Sequence, residues 1–135
     1  MPENPPGTPL GIPKFQLDEI RSLAENYVNK TTEELINDID GHVVLATAAK
    51  KEKDIVNLKL ATLIGDRLKS AIGHWVDLTE EQTYWMCGAI GYFAASDDEE
   101  DDFRSPIGFE DDAEIFNACV RFAGHEELVI TKEEF

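Results

Sequence analysis

Four aspartates have the types and spacing to do chemistry. Asp98 and Asp102 stand four apart in an acidic run, and Asp111 and Asp112 open the next stretch of helical periodicity. Ser105-Pro106 and Gly108 between them are turn residues that can fold the two pairs against each other. Converging carboxylate oxygens suit a hard cation, Ca²⁺ or Mg²⁺, whereas zinc prefers nitrogen and sulfur. Asp112 follows Phe109 by three residues and precedes Phe116 by four, which puts it on a core-facing stripe. A carboxylate there needs a metal, Arg104 or backbone N–H groups as its partner. In a plainer reading, Asp111 and Asp112 serve the first-turn N–H groups and the helix dipole, and Asp98 caps a turn. Both readings stay open, and beyond this possible Ca²⁺ or Mg²⁺ no cofactor is expected.

Other reactive residues fall into no such pattern. An EF-hand loop counted from Asp97 places Asp102 where glycine is required, and one counted from Asp38 also fails. His42, His74 and His125 are far apart in sequence, and none stands at a metal-ligand spacing from another or from a cysteine. They are expected to serve packing or the surface, with His74 beside Trp75 in a packing or dipole role. Cys87 and Cys119 lie in apolar helical stretches without a C-x-x-C, which favours a reducing compartment. There is no P-loop, dinucleotide fingerprint, nucleophile elbow or H-E-x-x-H. No enzyme is expected.

Charge is the chain's most unusual property. Its 135 residues carry 28 acids against 12 bases, a net of −16. Residues 1–76 hold 11 acids and 9 bases, whereas residues 77–135 hold 17 acids and 3 bases, so the surplus is a feature of the last two-fifths. Two exposed carboxylates about 5 Å apart repel by roughly 0.8 kcal/mol in water before screening, so such crowding costs stability. Either a solvated loop spreads the charge, or a cation or basic partner neutralises it. Direct nucleic-acid binding is excluded as an expectation, because phosphate affinity comes mainly from Lys and Arg.

The positioning elements are helices. Leu17, Ile20, Leu23 and Tyr27 recur at helical steps from about Gln16. Thr31 and Glu34 form a capping box that starts a second helix, with Leu35, Ile36, Ile39, Val43 and Val44 as its apolar positions and Gly41 as a possible kink. A third helix is expected from about Asp54 to Val76, with an apolar face wide enough for a central position. Thr79 and Gln82 cap a fourth, running to about Ala95, which is apolar nearly all round and so belongs to the core, with Gly88 and Gly91 admitting a close neighbour. The last helix runs from about Phe109 to Ala123 and stops at Gly124, with Leu128-Val129-Ile130 beyond it as a short strap. The expectation is an all-α fold, a compact bundle of about five helices over residues 16–135. A flexible, Pro-rich arm over residues 1–15 and an acidic loop at Asp97–Asp102 complete it. No run reaches the roughly 20 apolar residues of a membrane span, and Met1 to Pro13 has no signal-peptide pattern, so a soluble cytoplasmic protein without membrane insertion is expected.

From Tyr92 to Ala113 the chain resembles the YkvA-like family, small bacterial helical domains of unassigned function. Tyr92, Asp98, Asp102-Phe103, Ile107-Gly108-Phe109 and Asp111-Asp112-Ala113 match the family's spacing without a gap. Ser96, Asp101 and Ser105 stand where the family has prolines, and Glu99 and Glu100 replace apolar residues. The resemblance implies the fold and no activity. The function expected from the charge is a non-enzymatic interaction module. It presents Asp97, Asp98, Glu99, Glu100, Asp101, Asp102, Glu110, Asp111 and Glu114 to a basic protein, with an immunity, inhibitor or nucleic-acid-mimic role as a sub-case. The alternative is a divalent-cation-binding domain using Asp98, Asp102, Asp111 and Asp112. Metal-assisted hydrolysis lacks an identifiable base and pocket, and the oligomeric state is not readable.

Overall fold

A computed structural model describes residues 7–54, 56–94 and 109–135. Among them are five α-helices and no strand: α1 Lys14–Tyr27, α2 Thr32–Glu52, α3 Leu58–Ile72, α4 Glu80–Ala94 and α5 Glu110–Phe122. Short 3₁₀ turns at Trp75–Asp77, Glu126–Leu128 and Lys132–Glu134 complete the described elements. No helix of the described residues is long and apolar enough to cross a membrane.

Local chemistry sets most boundaries. Both reciprocal bonds of the Thr31/Glu34 box form, at 3.1 and 2.9 Å, and the Thr79/Gln82 box repeats them at the same two distances. Asn57 shortens α3 relative to expectation, because its side-chain oxygen accepts from the Leu60 N–H at 3.1 Å and so caps the helix three residues after Asp54. Gly73 ends α3, and the chain tightens into the Trp75–Asp77 turn instead of continuing to Val76. Helix α2 runs unbroken past Gly41.

Helix α4 is core, as its nearly all-round apolar sequence predicts. Trp85 through Gly91 and Phe93 are all buried, and α1, α2 and α5 pack around them. Helix α1 lies on the glycine face of α4. A Cβ at Gly88 would come within 2.7 Å of the Ile20 Cγ2 and 2.9 Å of the Ile20 carbonyl oxygen, and one at Gly91 within 2.9 Å of the Tyr27 ring. Gln16 donates to the Tyr92 hydroxyl at 3.0 Å, and the Tyr84 hydroxyl donates to the Arg21 carbonyl at 3.3 Å, so polar bonds flank the contact. Helix α3 packs on α2 and α5, and Lys69 of α3 reaches Asp40 of α2 at 2.8 Å.

Two expectations are corrected by packing. The flexible arm does not extend to residue 15: Lys14 and Phe15 begin α1, Pro9 and Ile12 are buried, and the Trp85 indole donates to the Gly7 carbonyl at 3.1 Å. Ile12 joins the core because its burial outweighs the entropy of an extended segment already stiffened by Pro9 and Pro13. On α2 the core stripe is Leu35, Ile39, His42 and Ala46, while Val44 is 65% exposed and Val43 half-buried. The helical step decides this: His42 is three after Ile39 and four before Ala46, and Val44 falls on the opposite face.

The C-terminal strap is clamped by side chains from two helices. Asn117 of α5 donates to the Ile130 carbonyl at 2.9 Å and accepts from its N–H at 2.8 Å, as a strand partner would. Arg67 of α3 donates to the carbonyls of Leu128 and Val129 at 3.0 and 3.2 Å and to the Glu134 carboxylate at 2.8 Å. Ile130 is thereby sealed into the core.

Two measurements check this account. Gly88→Ala is expected to cost about 1–2 kcal/mol, an overpacking penalty partly returned by helix propensity, whereas Gly41→Ala, with open space around it, gains about 0.5–1 kcal/mol. Thermal unfolding should move in opposite directions for the two. Glu134 is held below the usual carboxylate range, first by the Thr131 backbone N–H and then by Arg67. Its folded value is depressed, so its contribution is present at neutral pH and is lost as pH falls through the carboxylate range. Glu134→Gln should therefore flatten the acid limb of Tm against pH, most visibly below about pH 5.

Candidate functional site

The start of α5 carries the described part of the acidic candidate site. Asp97, Asp98, Glu99, Glu100, Asp101, Asp102 and Arg104 lie outside the described residues. Phe109, the residue before the helix, has no side-chain group capping it and is buried edge-on to His42 and tilted against Phe93, with centroids 6.0 Å away in each case. This anchor fixes where the first turn begins. Glu110, Asp111 and Asp112 fill that turn, where the helix dipole favours negative charge.

The turn sorts its acids by direction. Asp111 and Glu114 are exposed, Glu110 is half-buried, and Asp112 is 4% exposed on the stripe shared with Ala113 and Phe116. Asp112 thus takes the inward place its spacing predicts. Asp111 turns to solvent one step, about 100°, away around the helix. Glu114 pairs with Lys132 at 3.2 Å, an exposed contact worth little by itself.

Among the described residues, the acids that flank α4 and α5 fall at both ends of the pair, with Glu133 and Glu134 apart from them on the C-terminal strap. Gln82 at the start of α4 donates to the Phe122 carbonyl at the end of α5 at 3.2 Å, so the two helices run antiparallel. One group, Glu110, Asp111 and Glu114, sits at the start of α5. The other, Asp77, Glu80, Glu81, Glu126 and Glu127, gathers at the opposite end, about 18 Å away along the axis. Both described bases of this stretch are already engaged, Arg121 with Glu126 at 3.3 Å and Lys132 with Glu114. The local cations therefore cannot cancel the surplus.

At that second end the fold assembles something the sequence reading did not find. The rings of His74 and His125 stack with centroids 4.3 Å apart and planes at 26°, and Glu127 lies 2.9 Å from His125 Nδ1. The hydrogen bond from His125 is the main reason that Glu127 is held below the usual carboxylate range. His125 is set by a Schellman turn: Gly124 at φ +84° lets its own N–H bond Arg121 O and the His125 N–H bond Val120 O, each at 3.0 Å. His74 is set by the turn that ends α3, where its N–H bonds Ala71 O at 2.9 Å. Glycines at 73 and 124 were the only local signals, since the two histidines are 51 residues apart.

His42 is elsewhere, 2% exposed in the core and edge-on to Phe93 at 4.8 Å, a packing position. Cys87 and Cys119 are both buried and unoxidised. Burial pushes the Cys87 thiol up to about 11 and that of Cys119 higher still, so neither supplies a thiolate nucleophile near neutrality. A thiol reagent at about pH 8 should leave both unmodified in the native protein and label both in denaturant. Rapid native labelling of either would contradict the described core.

Comparison with known protein families, with curated proteins and with solved structures finds no match to this chain.

Proposed function

We propose that this protein is a non-enzymatic interaction module that offers an acidic surface to a basic protein partner. One observation carries the reading: the first turn of α5 sets Asp111 and Glu114 at the surface with Glu110 half-buried beside them, and of these only Glu114 has a described cation partner, Lys132. Such a surface raises association rates and makes them sensitive to salt. An immunity, inhibitor or nucleic-acid-mimic role is one form this takes. Kinship to the YkvA-like domains is part of the same proposal and rests on the spacing from Tyr92 to Ala113.

The divalent-cation alternative with Asp98, Asp102, Asp111 and Asp112 draws less support. Asp111 faces solvent and Asp112 faces the interior, so the two do not present their carboxylates to one point from the same face. Calorimetry with Ca²⁺ and Mg²⁺ on the wild type and on Asp112→Asn addresses it directly.

The interaction reading is tested with a lysine- and arginine-rich peptide as the probe. Its affinity should fall at least about tenfold between roughly 50 and 500 mM salt. The triple variant Glu110→Gln/Asp111→Asn/Glu114→Gln should bind more weakly than Asp77→Asn/Glu80→Gln/Glu81→Gln, which removes the same charge at the other end. Equal weakening by the two variants, or salt-independent binding, rules out a specific surface at the start of α5.

A further inference from the structure

We propose that His74, His125 and Glu127 form a binding site for a divalent transition-metal ion of the zinc class, with three protein ligands and one open position. The site is separate from the acidic start of α5 and does not depend on the interaction reading.

The donor set comes first. One nitrogen from each ring and one Glu127 oxygen all lie within 4.8 Å of one another. Two imidazoles and a carboxylate match zinc-class chemistry, while Ca²⁺ and Mg²⁺ take oxygen ligands. Three protein ligands leave a tetrahedral ion one position for water or for a donor from another molecule.

Geometry sets what must move. Donors about 2.1 Å from a shared tetrahedral ion lie about 3.4 Å apart, so the widest present separation of 4.8 Å has to close by roughly 1.4 Å. Ion binding therefore requires the two imidazoles to leave the stacked arrangement, by side-chain rotation, so that a nitrogen of each faces the ion. His74 and Glu127 do not come together by chance of a loose loop. The Schellman turn holds His125, the Ala71 carbonyl holds the His74 N–H, and the Glu126–Leu128 turn carries Glu127. Ligands on hydrogen-bonded turns lose little entropy when they capture an ion. Asp77, three residues after His74, is exposed and adds negative field that favours a cation, while the charge of Glu126 is taken up by Arg121.

The ion would join the turn after α3 to the turn after α5. Because it binds the assembled pair and the unfolded chain holds these residues far apart, saturating Zn²⁺ should raise Tm by several degrees.

The experiment is calorimetry and thermal unfolding of the full, tag-free chain with Zn²⁺ alone, with Ca²⁺ and Mg²⁺ as controls. The expected result is saturable, equimolar Zn²⁺ binding that raises Tm, with no heat of that kind from Ca²⁺ or Mg²⁺. His74→Ala and His125→Ala should each weaken Zn²⁺ binding by more than about 100-fold, and Glu127→Gln by about 10-fold or more. Circular dichroism of each metal-free variant shows whether it folds, and His74→Gln, which keeps the side chain's bulk, replaces any that does not. No Zn²⁺ binding by the wild type overturns the proposal, and so does Zn²⁺ binding of unchanged strength in the folded His74 and His125 variants, which would place the ion on other carboxylates.

Discussion

Everything in this bundle rests on how closely α1 can approach α4. Gly88 and Gly91 remove the side chains that would hold the two helices apart, and Ile20, Leu23 and Tyr27 enter the space. The α4 backbone then meets α1 side chains from Ile20 to Tyr27 at close range, which is where dispersion is strongest. The cost is two residues of poor helix propensity, roughly 2 kcal/mol in total. Burial of α4 on its other sides, by α2 and α5, offsets that cost, with Phe93, Phe109 and Phe116 wholly enclosed.

That enclosed helix also organises the charge. Because α4 and α5 run antiparallel, the acids that flank them are driven to opposite ends. The two groups stand more than a Debye length apart at physiological salt, so they repel each other little and act separately. One fills the first turn of α5. The other includes Glu127, which pairs with one of two stacked imidazoles. A single count of negative charge over the last two-fifths hides this division.

Polar side chains of α3 and α5 do the work at the C-terminal strap that a further helix would otherwise do. Asn117 mimics a strand neighbour for Ile130, and Arg67 satisfies two carbonyls and one carboxylate at once. Removing either partner of such half-buried bonds leaves groups that water reaches poorly, which is why the strap stays down without a long apolar segment. The same clamp fixes the position of the turn that carries Glu127.

Local chemistry determined the elements and the inward place of Asp112. Both capping boxes, the glycine face of α4, the stop at Gly124 and the inward Asp112 are legible because each depends on residues within four positions of one another. The identity of the core residue at His42 was also within reach of spacing, but hydrophobicity pointed to Val43 and Val44 instead. Tertiary structure alone decided the rest. It buried Ile12 and Pro9 and set acids at both ends of the α4–α5 pair. It also brought His74 to His125 across 51 residues. Those outcomes depend on which helix faces run against each other, and helical periodicity carries no record of the partner a face will meet.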